Sequence, residues 1–151
     1  MFAAIVADAC AGKGTLDEVR RVALAPLVRA RLTYEQAKAL DELAPEALVL
    51  PSGNRARLRY EAGRPPVLAA RIQELFGWAE APRLGGGRVP ILLHLLGPNF
   101  RPVQITDDLT SFWSTTYFQV RKDLRNRYPK HSWPEDPKTA RAEAKGARRA
   151  R

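Results

Sequence analysis

The sequence predicts an α+β fold: an N-terminal helical segment, then two ββα units on a small antiparallel sheet, then a basic C-terminal tail. Three observations predict it. Two helix-start signatures fall early in the chain, at Thr15 and Thr33. Two pairs of short apolar runs each fold about a turn rich in Pro, Gly and Asn. An apolar stripe at helical spacing follows each pair.

Residues 2–12 (FAAIVADACAG) form an apolar stretch of about the length of a signal-peptide core. It lacks a positive flank and is interrupted by Asp8, so it reads as a helix. Thr15-Leu16-Asp17-Glu18 fits a capping box, in which Thr15 accepts from the Glu18 amide and Glu18 reaches back. Leu16, Val19, Val22 and Ala23 keep helical spacing, and Pro26 kinks or restarts that helix. Thr33-Tyr34-Glu35-Gln36 is a second capping box. It opens a helix through Leu40 and Leu43 that stops before Pro45.

The pattern changes at Ala47. Residues 47–50 (ALVL), the turn Pro51-Ser52-Gly53-Asn54, and residues 55–60 (RARLRY) read as two strands. Ala56, Leu58 and Tyr60 share one face, and Arg55, Arg57 and Arg59 the other. Pro65-Pro66 then opens a helix whose buried stripe is Val67, Leu68, Ile72, Leu75 and Phe76, stopped by Gly77. After the break at Gly85-Gly86-Gly87, a second hairpin turns at Gly97-Pro98-Asn99. Thr106 or Asp107 caps a long helix, with Leu109, Phe112, Trp113, Thr116, Val120 and Leu124 facing the core. Pro129 ends it. From Lys138 the Ala, Lys, Arg, Glu and Gly composition reads as a frayed helix or a disordered tail. The divisions are 1–46 helical, 47–137 α+β, and 138–151 basic tail.

Charge points to a partner. Lys and Arg outnumber Asp and Glu by 25 to 16, and the excess is local. Residues 121–151 hold 11 basic against 4 acidic side chains, while the first 120 hold 14 against 12. A localised basic patch implies a polyanion: RNA, DNA or an anionic membrane surface. Arg121 and Arg125 share a helix face, with Lys122 beside them. A solvated helix C-terminus accounts for those three, but not for the continuation through Arg127 and Lys130. Tyr128, His131 and Trp133 are interleaved with these cations. Two readings stay open for Tyr128 and Trp133: they stack on bases, or they fold back as a lid with prolines fixing the path. The Arg55, Arg57 and Arg59 face repels itself unless something acidic covers it, and is a second candidate polyanion surface. The expected partner is RNA first and single-stranded DNA second. The alternative is a protein-interaction module whose charges meet acidic protein.

Other chemistry is excluded by what the chain lacks. Cys10 is alone, so there is neither a disulfide framework nor a cysteine metal cluster, which fits a reducing, cytoplasmic setting. No run approaches the roughly 18 apolar residues of a membrane span, and the aromatics do not lie on a strongly amphipathic basic helix, so no membrane partner is expected. Residues 11–15 (AGKGT) fail as a phosphate-binding P-loop: Ala7 stands where the first Gly belongs, and Gly14 where Ser or Thr must hold magnesium. Gly85–Gly87 with Arg88 could present amides to an anion, but glycine runs are usually connectors. His94, in an apolar strand without ligand neighbours, reads as a core or edge histidine. No catalytic constellation is present.

Residues 50–137 resemble the C-terminal domain of the bacterial HrpB-type helicases of the DEAH-box class. The resemblance rests on GGRVP at 86–90, HLLGP at 94–98, RPVQITDDL at 101–109, Phe112-Trp113 and VRKDLRNRYPKHSWPEDP at 120–137. Residues 15–49 are similar to the helical segment that precedes this domain in the family. In that family ATP hydrolysis and translocation belong to two upstream RecA-like domains. The resemblance therefore implies an accessory domain with no catalytic residues and no cofactor of its own, ATP and magnesium belonging to motor domains absent from this chain. It also implies contact with the nucleic-acid strand or with the helicase body. The chain would then be a truncated, standalone or excised copy of that region.

Overall fold

The computed structural model describes residues 1–144. They fall into two compact units, Met1–Glu42 and a second beginning at Leu43. The first unit contains α1 (Phe2–Cys10), α2 (Leu16–Arg20) and α3 (Leu24–Arg29), and most of α4 (Tyr34–Leu43). The Thr15 hydroxyl accepts from the Glu18 amide, and the Glu18 carboxylate accepts from Gly14 N–H, one residue earlier than a reciprocal box requires. Thr33 and Gln36 make both bonds of theirs. Pro26 stands in the first turn of α3, where its missing N–H costs nothing. Ion pairs join Arg31 to Asp8 and Arg29 to Asp41. Ile5 and Ala9 are this unit's buried hydrophobics.

The second unit is built on a five-stranded sheet of β1 (Ala47–Val49), β2 (Arg55–Arg59), β3 (Val67–Arg71), β4 (Leu92–Leu96) and β5 (Pro102–Thr106), in that spatial order. The α+β class holds, but two features differ from the sequence expectation. Residues 67–71 are a strand, not the start of a helix. β3 pairs with β2 on one side and β4 on the other, and it buries Leu68 and Ala70. Central-strand pairing outweighs the helix propensity of Ala69-Ala70. Only a single 3-10 turn, Ile72–Glu74, follows. The sheet is also mixed: β3 and β4 run parallel, so residues 72–91 form a crossover. The first of the two expected ββα units is thus three strands and a turn.

The second unit keeps its hairpin, β4 with β5, followed by α5 (Leu109–Ser114) and α6 (Thr116–Arg127). One long helix was expected here. The chain breaks at Thr115 (φ −126°, ψ −74°), where Ser114 Oγ donates back to Thr110 O and Thr115 Oγ1 to Ser111 O, local side-chain bonding of the kind that bends a helix. The N-cap is Asp108, whose carboxylate accepts from Ser111 N–H at 2.8 Å, not Thr106 or Asp107.

The inner sheet face (Leu58, Leu68, Ala70, Leu93, Leu95) packs on Ile72, Leu75, Phe76, Leu109, Phe112, Trp113 and Tyr117. Tyr117 stands edge-on to Trp113 at 5.3 Å. A buried polar lock ties the β1–β2 turn to the crossover. Glu74 accepts from Arg71 Nε at 3.2 Å and from Asn54 Nδ2 at 2.5 Å. Residues 138–144, where the composition suggested a frayed helix or tail, form neither helix nor strand. Ala140 and Ala142 pack against the core, and Glu143 N–H donates to Gln73 O. The remaining tail, 145–151, lies outside the described residues.

Candidate nucleic-acid interface

The last turns of α6 and the segment after it hold most of the candidate contacts. Lys122, Arg125, Arg127 and Lys130 are exposed. Among the described residues none of the four has an acidic partner. Tyr128 closes α6, and Pro129 then turns the chain back along the helix. Residues 129–135 form a strap beside α6.

Trp133 anchors that strap. It is 7% exposed, and its Nε1–H donates to Tyr128 O at 2.9 Å. Tyr117 OH donates to Pro134 O at 2.8 Å. Burial pushes the Tyr117 hydroxyl pKa well above the usual tyrosine range, against the opposing pull of the Arg121 charge. Arg121 donates from Nε to Trp133 O at 2.8 Å, and its other arm meets the Glu135 carboxylate at 3.5 Å. Of the two readings left open by the sequence, the lid describes Trp133: a buried indole offers no face to a base. Arg121 is correspondingly a clamp on the strap as well as a cation at the groove. Tyr128 and His131 are half-buried, with their rings edge-on at 6.2 Å.

Between α6 and the strap runs a groove of about 540 Å³. Arg121, Arg125, Asn126, Pro129, His131, Trp133 and Glu135 line it. Asn126 was not singled out by sequence. Its position one residue past Arg125, on a helix end facing a returning strap, is what brings it in. The groove offers two guanidinium groups, an amide and an imidazole to an anionic ligand.

Arg55, Arg57 and Arg59 project together from β2, all exposed and without acidic partners among the described residues. Arg57 stands opposite Ala47 and Arg59 opposite Val67. The sheet's outer face continues through Ala69, His94 and Ile105 by register, so His94 is a half-buried outer-face residue. The two basic sets come from different elements, β2 and α6 with its strap.

The other expected sites resolve simply. Gly85, Gly86 and Gly87 all have positive φ (59°, 67° and 85°), a path that needs glycine. Arg83 and Arg88 donate to carbonyls of this loop, at Gly87 O and Gly85 O. The run is a connector closed by the Leu84–Val89 bridge. The AGKGT segment does not fit a nucleotide phosphate: the Gly14 amide is already taken by Glu18, and the cleft beside it is lined by Asp8 as well as Glu18. No helix is long and apolar enough to cross a membrane, and no cluster of three metal-ligating side chains occurs among the described residues.

Comparison with known proteins identifies the family. The family model for the HrpB ATP-dependent helicase C-terminal region matches residues 6–137, across both compact units. The chain is 41% identical over 126 residues to the ATP-dependent RNA helicase HrpB of Escherichia coli K12, an alignment covering 83% of this chain and 16% of that protein. A crystal structure of the E. coli DExH-box NTPase HrpB superimposes with a TM-score of 0.81 at 38% identity, over 95% of this chain and 17% of that one. A second, of the E. coli DEAH/RHA helicase HrpB, gives 0.66 at 36% identity over 87% and 17%. The chain therefore spans about one sixth of the length of the relatives it matches. With its motifs at 86–137, its fold and its identity in agreement, this chain belongs to the HrpB ATP-dependent helicase C-terminal family.

Proposed function

We propose that this chain is an accessory region that holds single-stranded nucleic acid, RNA in preference to DNA, for an ATP-dependent helicase. The carrying observation is the set of exposed cations, without acidic partners among the described residues, at the end of α6 and in the turn beyond: Lys122, Arg125, Arg127 and Lys130. Charged ends this dense favour a phosphate backbone over a scattered protein surface. The name of the E. coli relative, an RNA helicase, supports RNA as the first partner. Arg55, Arg57 and Arg59 supply a second phosphate-binding edge.

Removing residues 121–151 would also remove Trp133 and the acceptor of Tyr117, so neutralising substitutions are the cleaner test. A labelled single strand is expected to bind at low salt and to weaken steeply as salt rises. Arg125→Gln, Arg127→Gln and Lys130→Gln combined should flatten the log–log salt slope by about 0.7 for each phosphate no longer neutralised. Absence of binding at low salt, or a slope unchanged in the triple variant, overturns the proposal.

The burial of Trp133 and the engagement of Arg121 favour a second role, docking on a helicase body. Co-purification with the motor region of an HrpB-type helicase, unaffected by the triple variant, would mark that role.

A further inference from the structure

The groove beside α6 contains its own anion. Glu135 is the carboxylate among its lining residues, and it stands over Arg121 at 3.5 Å. That separation is longer than the roughly 2.7–2.9 Å of a charge-assisted hydrogen bond. The two partners are held very differently. The Glu135 side chain is 89% exposed, whereas that of Arg121 is 20% exposed and fixed by its Nε bond to Trp133 O. A fixed guanidinium with a loose carboxylate on it is an anion site with a replaceable occupant.

We propose that this groove seats one backbone phosphate of a single strand, and that Glu135 is its internal competitor. The carboxylate neutralises Arg121 until a strand phosphate takes its place. Arg125, one helical turn further on, supplies a second cation. Asn126 and His131 supply polar groups from the helix and the strap. Strand entry does not require the strap to open, because Trp133 stays buried and only an exposed side chain swings away. This assignment rests on the nucleic-acid reading and adds to it a defined subsite and a self-screening device. Affinity is held down by a surface ion pair, an interaction weak enough to be displaced.

The test compares two variants of equal net charge on the full chain, using a labelled single strand at low salt. Glu135→Gln removes the competitor. Asp123→Asn removes an exposed α6 carboxylate, bonded to Gln119 Nε2 at 2.9 Å and not among the groove residues. Glu135→Gln should tighten binding about two- to fivefold, and Asp123→Asn clearly less. Equal tightening by both, or none by Glu135→Gln, overturns the subsite while wild-type binding leaves the nucleic-acid reading standing. Failure of the wild type to bind at low salt defeats both ideas. Inorganic phosphate is the probe for the free anion: its failure to displace the strand at equal concentration supports a strand phosphate, and displacement overturns that assignment.

Discussion

At the scale of single residues, Trp133 and Tyr117 join the strap to the core. Replacing Trp133 by Ala leaves a cavity where a 7%-exposed indole sat and removes its bond to Tyr128 O. It should cost about 3–5 kcal/mol in urea denaturation. Tyr117 is fully buried and its hydroxyl pKa is raised by that burial. The native state therefore keeps the proton at a pH where the unfolded chain, with a tyrosine pKa of about 10, gives it up. Stability should hold below about pH 10 and fall above it. Tyr117→Phe should lose about 1 kcal/mol at neutral pH, from the bond to Pro134 O, and show a shallower alkaline decline. Tyr60, also raised by burial, retains part of that decline. The exposure of Arg125 and Lys130 was legible from spacing and charge. The burial of Trp133 was not, because an aromatic among cations looks the same in sequence whether it faces solvent or is folded under by Pro129 and Pro134.

At the scale of elements, local signals were the legible ones. Thr15 and Thr33 cap where their sequences say, and both hairpins form around their turns, because those interactions close within four residues. β3 was illegible for the opposite reason. Its burial alternates in part, with Leu68 and Ala70 buried and Ala69 exposed, but residues 67–70 are all apolar, so no alternation of polar and apolar residues marks it. Its strand character comes from partners at Leu58 and Leu92–Leu96, which local sequence does not display. The break at Thr115 likewise falls inside a continuous apolar stripe that conceals it. Asp108 is the test of where α5 begins. Asp108→Ala should cost about 1 kcal/mol, whereas Asp107→Ala should change thermal stability little.

At the scale of the whole molecule, the two units differ in how much they bury. The core cluster of Leu50 through Tyr117 belongs wholly to the second, while the first holds Ile5 and Ala9 and exposes Phe2, Leu16, Leu24 and Tyr34. Residues 43–151 alone should keep their near-ultraviolet circular dichroism, because the packed aromatics Phe76, Phe112, Trp113 and Tyr117 all lie within them. Residues 1–42 alone should show little helix, being too small to bury enough apolar surface. The α+β class and the location of the basic set were readable from composition along the chain, but the mixed sheet was not, since strand direction depends on a crossover rather than on a motif. That crossover also governs the order of assembly. Strands β1 to β3 can zip as a meander and β4 with β5 as a hairpin, each across a short gap. The β3–β4 seam must wait for the ends of residues 72–91 to meet, which carries a larger loop-closure entropy than either local pairing. The seam should therefore form last of the pairings, and pulsed hydrogen exchange during refolding should protect the β3–β4 amides after those of the β4–β5 hairpin.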